Sequence, residues 1–344
     1  MQNKPLGCLA IGAVVALIVS LIVNLIQLVG SVAESGGGGS AGTLPAAKFY
    51  ESLMEEGDGK SRKKIVQLDL DGVISSMGGG GLFGGGVVVD PEGVKRALEN
   101  AMEDDRVAAV VVRVNSPGGE VTASDTIYNT VKTFNETKPV VIYMDSVAAS
   151  GGYYVACGAT EIVAAPTTMT GSIGVIMQAP NASELMEKVG VSYHTFASGQ
   201  FKDSGSMSRE MREDERQYFQ DLVDENYSRF VGIVAAARGI DEGRLRNEGI
   251  ADGRIFSGEG AEQVGLVDSV GYIEDAYERA RELAGADGAK VVRYVQPMGL
   301  SGLLGLLGKA GEGVGTKVEV DMTGGLFPKL EAGRIYLLPA SFVP

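Results

Sequence analysis

The residues with the clearest chemical use lie between positions 145 and 175. At their centre stands Ser150, in the run Asp145-Ser146-Val147-Ala148-Ala149-Ser150-Gly151-Gly152. The apolar, β-branched stretch 139–144 before it reads as a buried strand. The small, apolar stretch 151–158 after it reads as one packed helix closed by Gly158. A serine where a strand gives way to a helix sits beside free backbone N–H groups and the positive end of the helix dipole. That placement suits a nucleophile whose product is an oxyanion. Capping a core helix is an equally good account of the same serine. A second cluster, Asn115-Ser116-Pro117-Gly118-Gly119, follows the apolar run 107–114. Pro117 fixes φ and the two glycines allow close backbone approach, so the turn can aim two N–H groups at a ligand oxygen. Taken alone, an ordinary tight turn opening the next helix is the simpler account.

These clusters need a scaffold, and the chain has length for one. Its 344 residues suit one or two domains with a large core. A net charge of −14 and the lack of a basic patch with interleaved aromatics argue against nucleic acid as a partner. Cys8 and Cys157 are the only cysteines and His194 the only histidine. No Cys/His metal spacing occurs, and neither a metal nor a cofactor is implied. The nine residues 78–86 hold seven glycines, but no Gly-Lys-Ser/Thr pattern follows, so they read as a mobile loop rather than a phosphate cradle.

The order of elements is that of an α/β fold. Strands are expected at 65–70, 107–114, 139–144, 161–164 and 290–295, and helices at 91–102, 121–134, 151–158, 210–238, 257–264 and 275–283. Strands this apolar are covered on both faces, and their alternation with helices predicts βαβ units and a largely parallel sheet. His194, in the alternating run 191–196, reads as a structural or surface strand residue rather than a catalytic one. Ahead of the body, residues 6–30 carry no charge and are long enough to span a bilayer, an anchor being preferred over a cleaved signal peptide. Lys4 then keeps residues 1–5 cytoplasmic and places the body on the extracytoplasmic side of the cell membrane. Residues 31–63 read as a Gly/Ser-rich tether and polar linker with a short helix, 64–297 as the folded body, and 298–344 as a Gly/Leu-rich tail.

The motifs are more specific together than singly. In order come Asn115-Ser116-Pro117-Gly118-Gly119, Ala148-Ala149-Ser150-Gly151-Gly152-Tyr153-Tyr154, Thr170-Gly171-Ser172-Ile173-Gly174-Val175, Ser198-Gly199-Gln200-Phe201-Lys202-Asp203, Gly253-Arg254-Ile255-Phe256-Ser257-Gly258 and Gly265-Leu266-Val267-Asp268. Over about residues 65–295 the sequence resembles the signal peptide peptidase family of serine proteases (SppA, peptidase family S49), in its short, single-unit form. The resemblance implies the ClpP/crotonase-like fold of repeated β-β-α units. It makes Ser150 the nucleophile, Lys202 the general base and Ser172 the residue that orients the lysine amine. The N–H groups of Gly119 and Gly151 become the oxyanion hole, and the two motifs after position 250 become structural.

A Ser–Lys pair also agrees with the scarcity of histidine. A lysine can act as base only if its pKa falls from about 10.4 towards neutrality, which requires burial without a carboxylate partner. Asp203 should therefore point away from Lys202. The resemblance further implies apolar signal-peptide remnants as substrates and a homo-oligomeric ring, such as an octamer, in which neighbours can share one site. A crotonase-like acyl-CoA enzyme and an inactive membrane scaffold are the competing functions. The apolar tail segment 336–341 reads first as a tail strand or a disordered end; it also resembles a signal-peptide fragment that could fill the protein's own cleft.

Overall fold

In the computed structural model, residues 49–76, 88–295 and 336–337 are described. The anchor segment 6–30, most of the tether, the glycine loop and the rest of the tail lie outside the described residues. No helix among the described residues is long and apolar enough to cross a membrane.

Strand β1 (Tyr50–Glu55) opens the body, followed by β2 (Lys64–Asp71), β3 (Val73–Ile74), β4 (Val88–Val89) and helix α1 (Pro91–Glu103). Next come β5 (Val107–Ser116), β6 (Gly119–Glu120), α2 (Val121–Asn135), β7 (Val140–Ala149) and α3 (Gly151–Ala156). Then follow β8 (Glu161–Ala164), β9 (Met169–Gly171), α4 (Ser183–Lys188), α5 (Glu213–Arg238) and α6 (Glu242–Asn247). The remaining elements are β10 (Ile255–Phe256), α7 (Gly258–Gln263), β11 (Ser269–Val270), α8 (Ile273–Ala284), β12 (Lys290–Val295) and β13 (Tyr336–Leu337).

The main sheet runs β1-β12-β2-β5-β7-β8-β11, parallel from β12 to β11, with β9 pairing β7 and β10 pairing β9. A smaller sheet runs β13-β6-β3-β4. In two successive units, β2-β3-α1 and β5-β6-α2, the long strand joins the main sheet and the short one the small sheet, β3 and β6 meeting at Ile74 and Gly119. This is the repeated β-β-α arrangement expected above.

Burial on both faces explains the unbroken apolar runs. Val110, Val112 and Val114 of β5 join the core shared with α2, α3 and α5, while Ala109 and Val111 join the core shared with α8. Arg113 interrupts the run where its guanidinium meets Asp71 and Asp145 beside it on β2 and β7.

Two expectations are corrected. Residues 43–63 are not only linker with a short helix, because β1 lies there and pairs antiparallel with β12. As an edge strand with Tyr50, Leu53 and Met54 exposed, it lacks the alternation that marks a half-buried strand. The run 191–196 forms no strand, and His194 is exposed on a loop; alternation alone makes no strand without a neighbour to pair with.

Candidate active site

β7 runs five residues past its expected end and delivers Ser150 directly to α3. There Ser150 is the N-cap, but its hydroxyl makes no capping bond. Its backbone is held instead: the N–H donates to Gly171 O at 2.8 Å, and the carbonyl accepts from Tyr154 N at 2.8 Å. The residue is buried at φ 52°, and its Oγ, enclosed by protein, has no hydrogen-bond partner. Among the described residues only one other non-glycine has positive φ, Ser172 at 49°. Such conformations cost of order 1–3 kcal/mol and persist where the surroundings over-determine them.

The register explains the coincidence. Ala149 at the end of β7 pairs with Gly171 at the end of β9, so Ser150 and Ser172 follow from neighbouring strand ends. β10 backs this corner: Ile255 pairs with Gly171, and Ser172 N–H donates to Arg254 O at 2.8 Å. The Gly253–Phe256 motif is thus a buttress, as expected of a structural segment. Gly265–Asp268 is one also, since Leu266 O accepts from Tyr153 Oη and Asp268 bridges Ile162 N and Arg238.

The structure brings the glycine turn to the same place. Gly118 (φ 103°) donates its N–H to Ser116 Oγ, and its carbonyl accepts from Ile74 N at 2.9 Å. A Cβ on Gly151 would lie 3.1 Å from Gly119 N and 2.5 Å from Ser124 Oγ. Gly119, Gly151, Ser150 and Ser172 therefore form one corner. Tyr336 and Leu337 lie antiparallel on β6, opposite Glu120 and Gly119, so of the two readings of the tail, strand or disordered end, these residues take the strand, at this corner.

Lys202 is placed differently. It sits on an exposed turn whose N–H donates to Gly199 O, and within one chain it makes no hydrogen bond to Ser150 Oγ. The burial that a lysine base needs is not supplied by its own chain. Asp203 behaves as expected: its carboxylate takes Arg209 Nε at 2.9 Å. Arg209 in turn grips Glu215, whose side chain is buried at the start of α5 and which also accepts from Arg212 N. The hydrogen bonds from Arg209 hold the Glu215 carboxyl down at about 2. This anchor, like Ser124, was not evident from the sequence, where Arg209 and Glu215 are two charges among many.

A pH dependence follows. A carboxylate whose folded pKa is depressed stabilises the fold fully above its ordinary value of 4.5 and loses that contribution as pH falls towards about 2. Glu215→Gln should therefore lower Tm at neutral pH and lose less stability than the parent between pH 4.5 and 2. Thermal melts across that range check it.

The model of peptidase family S49 matches residues 132–287, a span that holds Ser150, Ser172 and Lys202 and begins after the glycine turn. A putative protease of Synechocystis is 39% identical over 234 residues, covering 67% of this chain and 78% of that one. A putative signal peptide peptidase SppA of Enterococcus faecium is 38% identical over 248 residues, covering 72% and 71%. Among solved structures, a ClpP1 variant from Listeria monocytogenes has a TM-score of 0.41 at 16% identity, covering 61% of this chain and 94% of that one.

Proposed function

Since the chain belongs to peptidase family S49 and is a serine peptidase, we propose that it cleaves apolar peptides, signal-peptide remnants among them, with a Ser150–Lys202 dyad. One observation carries this: Ser150 is held in a strained conformation with its hydroxyl unbonded, beside Ser172, Gly119 and Gly151. Neutral Lys202, its amine oriented by Ser172, takes the Ser150 proton as Oγ attacks the peptide carbonyl. The N–H groups of Gly119 and Gly151 bind the oxyanion. The lysine then protonates the leaving amine, and water releases the acyl group. Hydrolysis of a fluorogenic apolar peptide by the full chain, against an acyl-CoA assay, tests the reaction class.

The lysine reaches its site from a neighbouring copy of the chain, in a ring such as an octamer. Supporting this, the segment that carries it offers large apolar side chains to solvent: Leu185, Val189, Val191, Tyr193, Phe196 (97% exposed) and Phe201. α4 within it buries no residue at all. Apolar surface so concentrated marks a protein contact, and covering it by a second copy would also desolvate Lys202. The anchor at 6–30 would hold the ring at the membrane, where apolar peptide remnants reside, with the body on the extracytoplasmic side.

Substrate would add to β6 as an extended strand, the direction Tyr336–Leu337 already takes. The tail then competes with substrate. Truncation after Gly333 should raise the initial rate at low peptide concentration and lower KM, and an unchanged rate would end this idea.

A further inference from the structure

Two side-chain oxygens among the described residues are enclosed by protein and hydrogen-bond to nothing: Ser150 Oγ and Ser124 Oγ. The first is the proposed nucleophile, whose partner is the lysine. The second has no such account. Ser124 lies in the first turns of α2, fully buried, on the helix that the Gly118–Gly119 turn leads into. Helical hydroxyls ordinarily bond back to the carbonyl four residues earlier. On this helix Thr126 does so with Thr122 O at 2.8 Å, and Thr130 with Thr126 O at 2.8 Å. Ser124 does not. Leaving a buried donor unsatisfied costs stability, and such an exception calls for a reason in function.

Its surroundings supply one. The place a Cβ on Gly151 would occupy is 2.5 Å from Ser124 Oγ and 3.1 Å from Gly119 N. The hydroxyl therefore packs against Gly151, on the side of that residue that also faces Gly119 N. A donor already aimed at the place where charge develops costs no rearrangement at the moment of reaction, and within a dry wall it acts strongly.

We propose that Ser124 is a further catalytic residue: its O–H is a third donor to the tetrahedral oxyanion, beside the N–H groups of Gly119 and Gly151. This rests on the assignment of that oxyanion hole. No new bond is made or broken; the hydroxyl keeps its proton throughout and shares it with the oxyanion while the charge exists.

Ser124→Ala in the full-length chain tests it. Expected is a fall in kcat of about 10²-fold with KM unchanged. A peptide aldehyde, whose serine adduct carries the oxyanion, should lose affinity by a similar factor, while a non-reacting peptide amide keeps its own. Tm should stay or rise, because removing an unsatisfied hydroxyl relieves a cost. Turnover within twofold of the parent overturns the proposal. So does a lowered Tm with equal losses for aldehyde and amide, which would make Ser124 a packing residue. A parent chain that hydrolyses no peptide overturns the site assignment and this donor with it, whereas an active parent matched by an equally active Ser124→Ala overturns the donor alone.

Discussion

Ser150→Ala and Lys202→Ala each leave a folded chain whose peptide turnover has dropped by about 10⁴-fold or more, and the double variant is scarcely worse than either. The non-additivity follows from the chemistry: a base with no nucleophile to deprotonate, or a nucleophile with no base, is as inert as a site lacking both. Folding should survive, since Ser150 Oγ holds no other group and Lys202 lies exposed. The pair also tests where the lysine comes from. Co-expressed single variants assemble some sites that draw serine from one chain and lysine from the next, and at random mixing roughly a quarter of sites regain both groups. Recovery of that order places the dyad across a subunit boundary. Zero recovery in a confirmed mixed assembly puts both groups in one chain, and full turnover by Lys202→Ala ends the lysine-base mechanism outright.

Gly119→Ala is the most damaging single methyl group to add at the active corner. Its Cβ would lie 1.9 Å from Ile74 O and 2.7 Å from Ile74 C, both backbone atoms of the paired strand β3. Neither can swing aside as a side chain does, so β3 and β6 must separate. A destabilisation of about 2–4 kcal/mol is expected, and the displaced amide should cost a further 10²-fold or so in turnover measured below Tm. Gly232→Ala is the control: it lies within α5 with only Glu242 Oε1 within 4 Å, at 3.6 Å, and helix propensity favours alanine by about 1 kcal/mol. Chemical denaturation of the two variants separates a steric clash from a general effect of losing glycine. Equal stability of Gly119→Ala and its parent would mean that β3 does not approach β6 as closely as the structure shows.

The sheet was legible because its strands are covered on both faces and so carry unbroken apolar runs. β2, β5, β7, β8 and β12 were all found, together with α1, α2, α3, α5, α7 and α8, while the six-residue helices α4 and α6 were not. The two-residue strands β3, β4, β6, β10 and β11 were not, since such a short element has no period to read. Edge strand β1 escaped for a related reason, being exposed where a pattern would need burial. At the site, Ser150, Ser172, Gly119 and Gly151 were picked out by motif, and the register of β7 with β9 brings the two serines together. Lys202 lies on a surface turn, as a lysine in a polar run ordinarily does, and what one sequence could not convey is how it gains the burial a base requires, which is not a local property. Ser124 gave no signal either: on a face with Ala123, Ile127 and Val131 it looks like any small core residue.

The clasp between β1 and β12 has a mechanical side. Because Tyr50 pairs with Val295, the chain enters β1 and leaves β12 at the same corner. A pull exerted through the two flanking segments would load that antiparallel pair at one end, peeling its rungs open in succession instead of sliding the strands past each other. Traction between the residues just before Tyr50 and those just after Val295 would therefore strip β1 away at low force, whereas a pull applied beyond Leu337 would first load β13 on β6, at the serine corner itself.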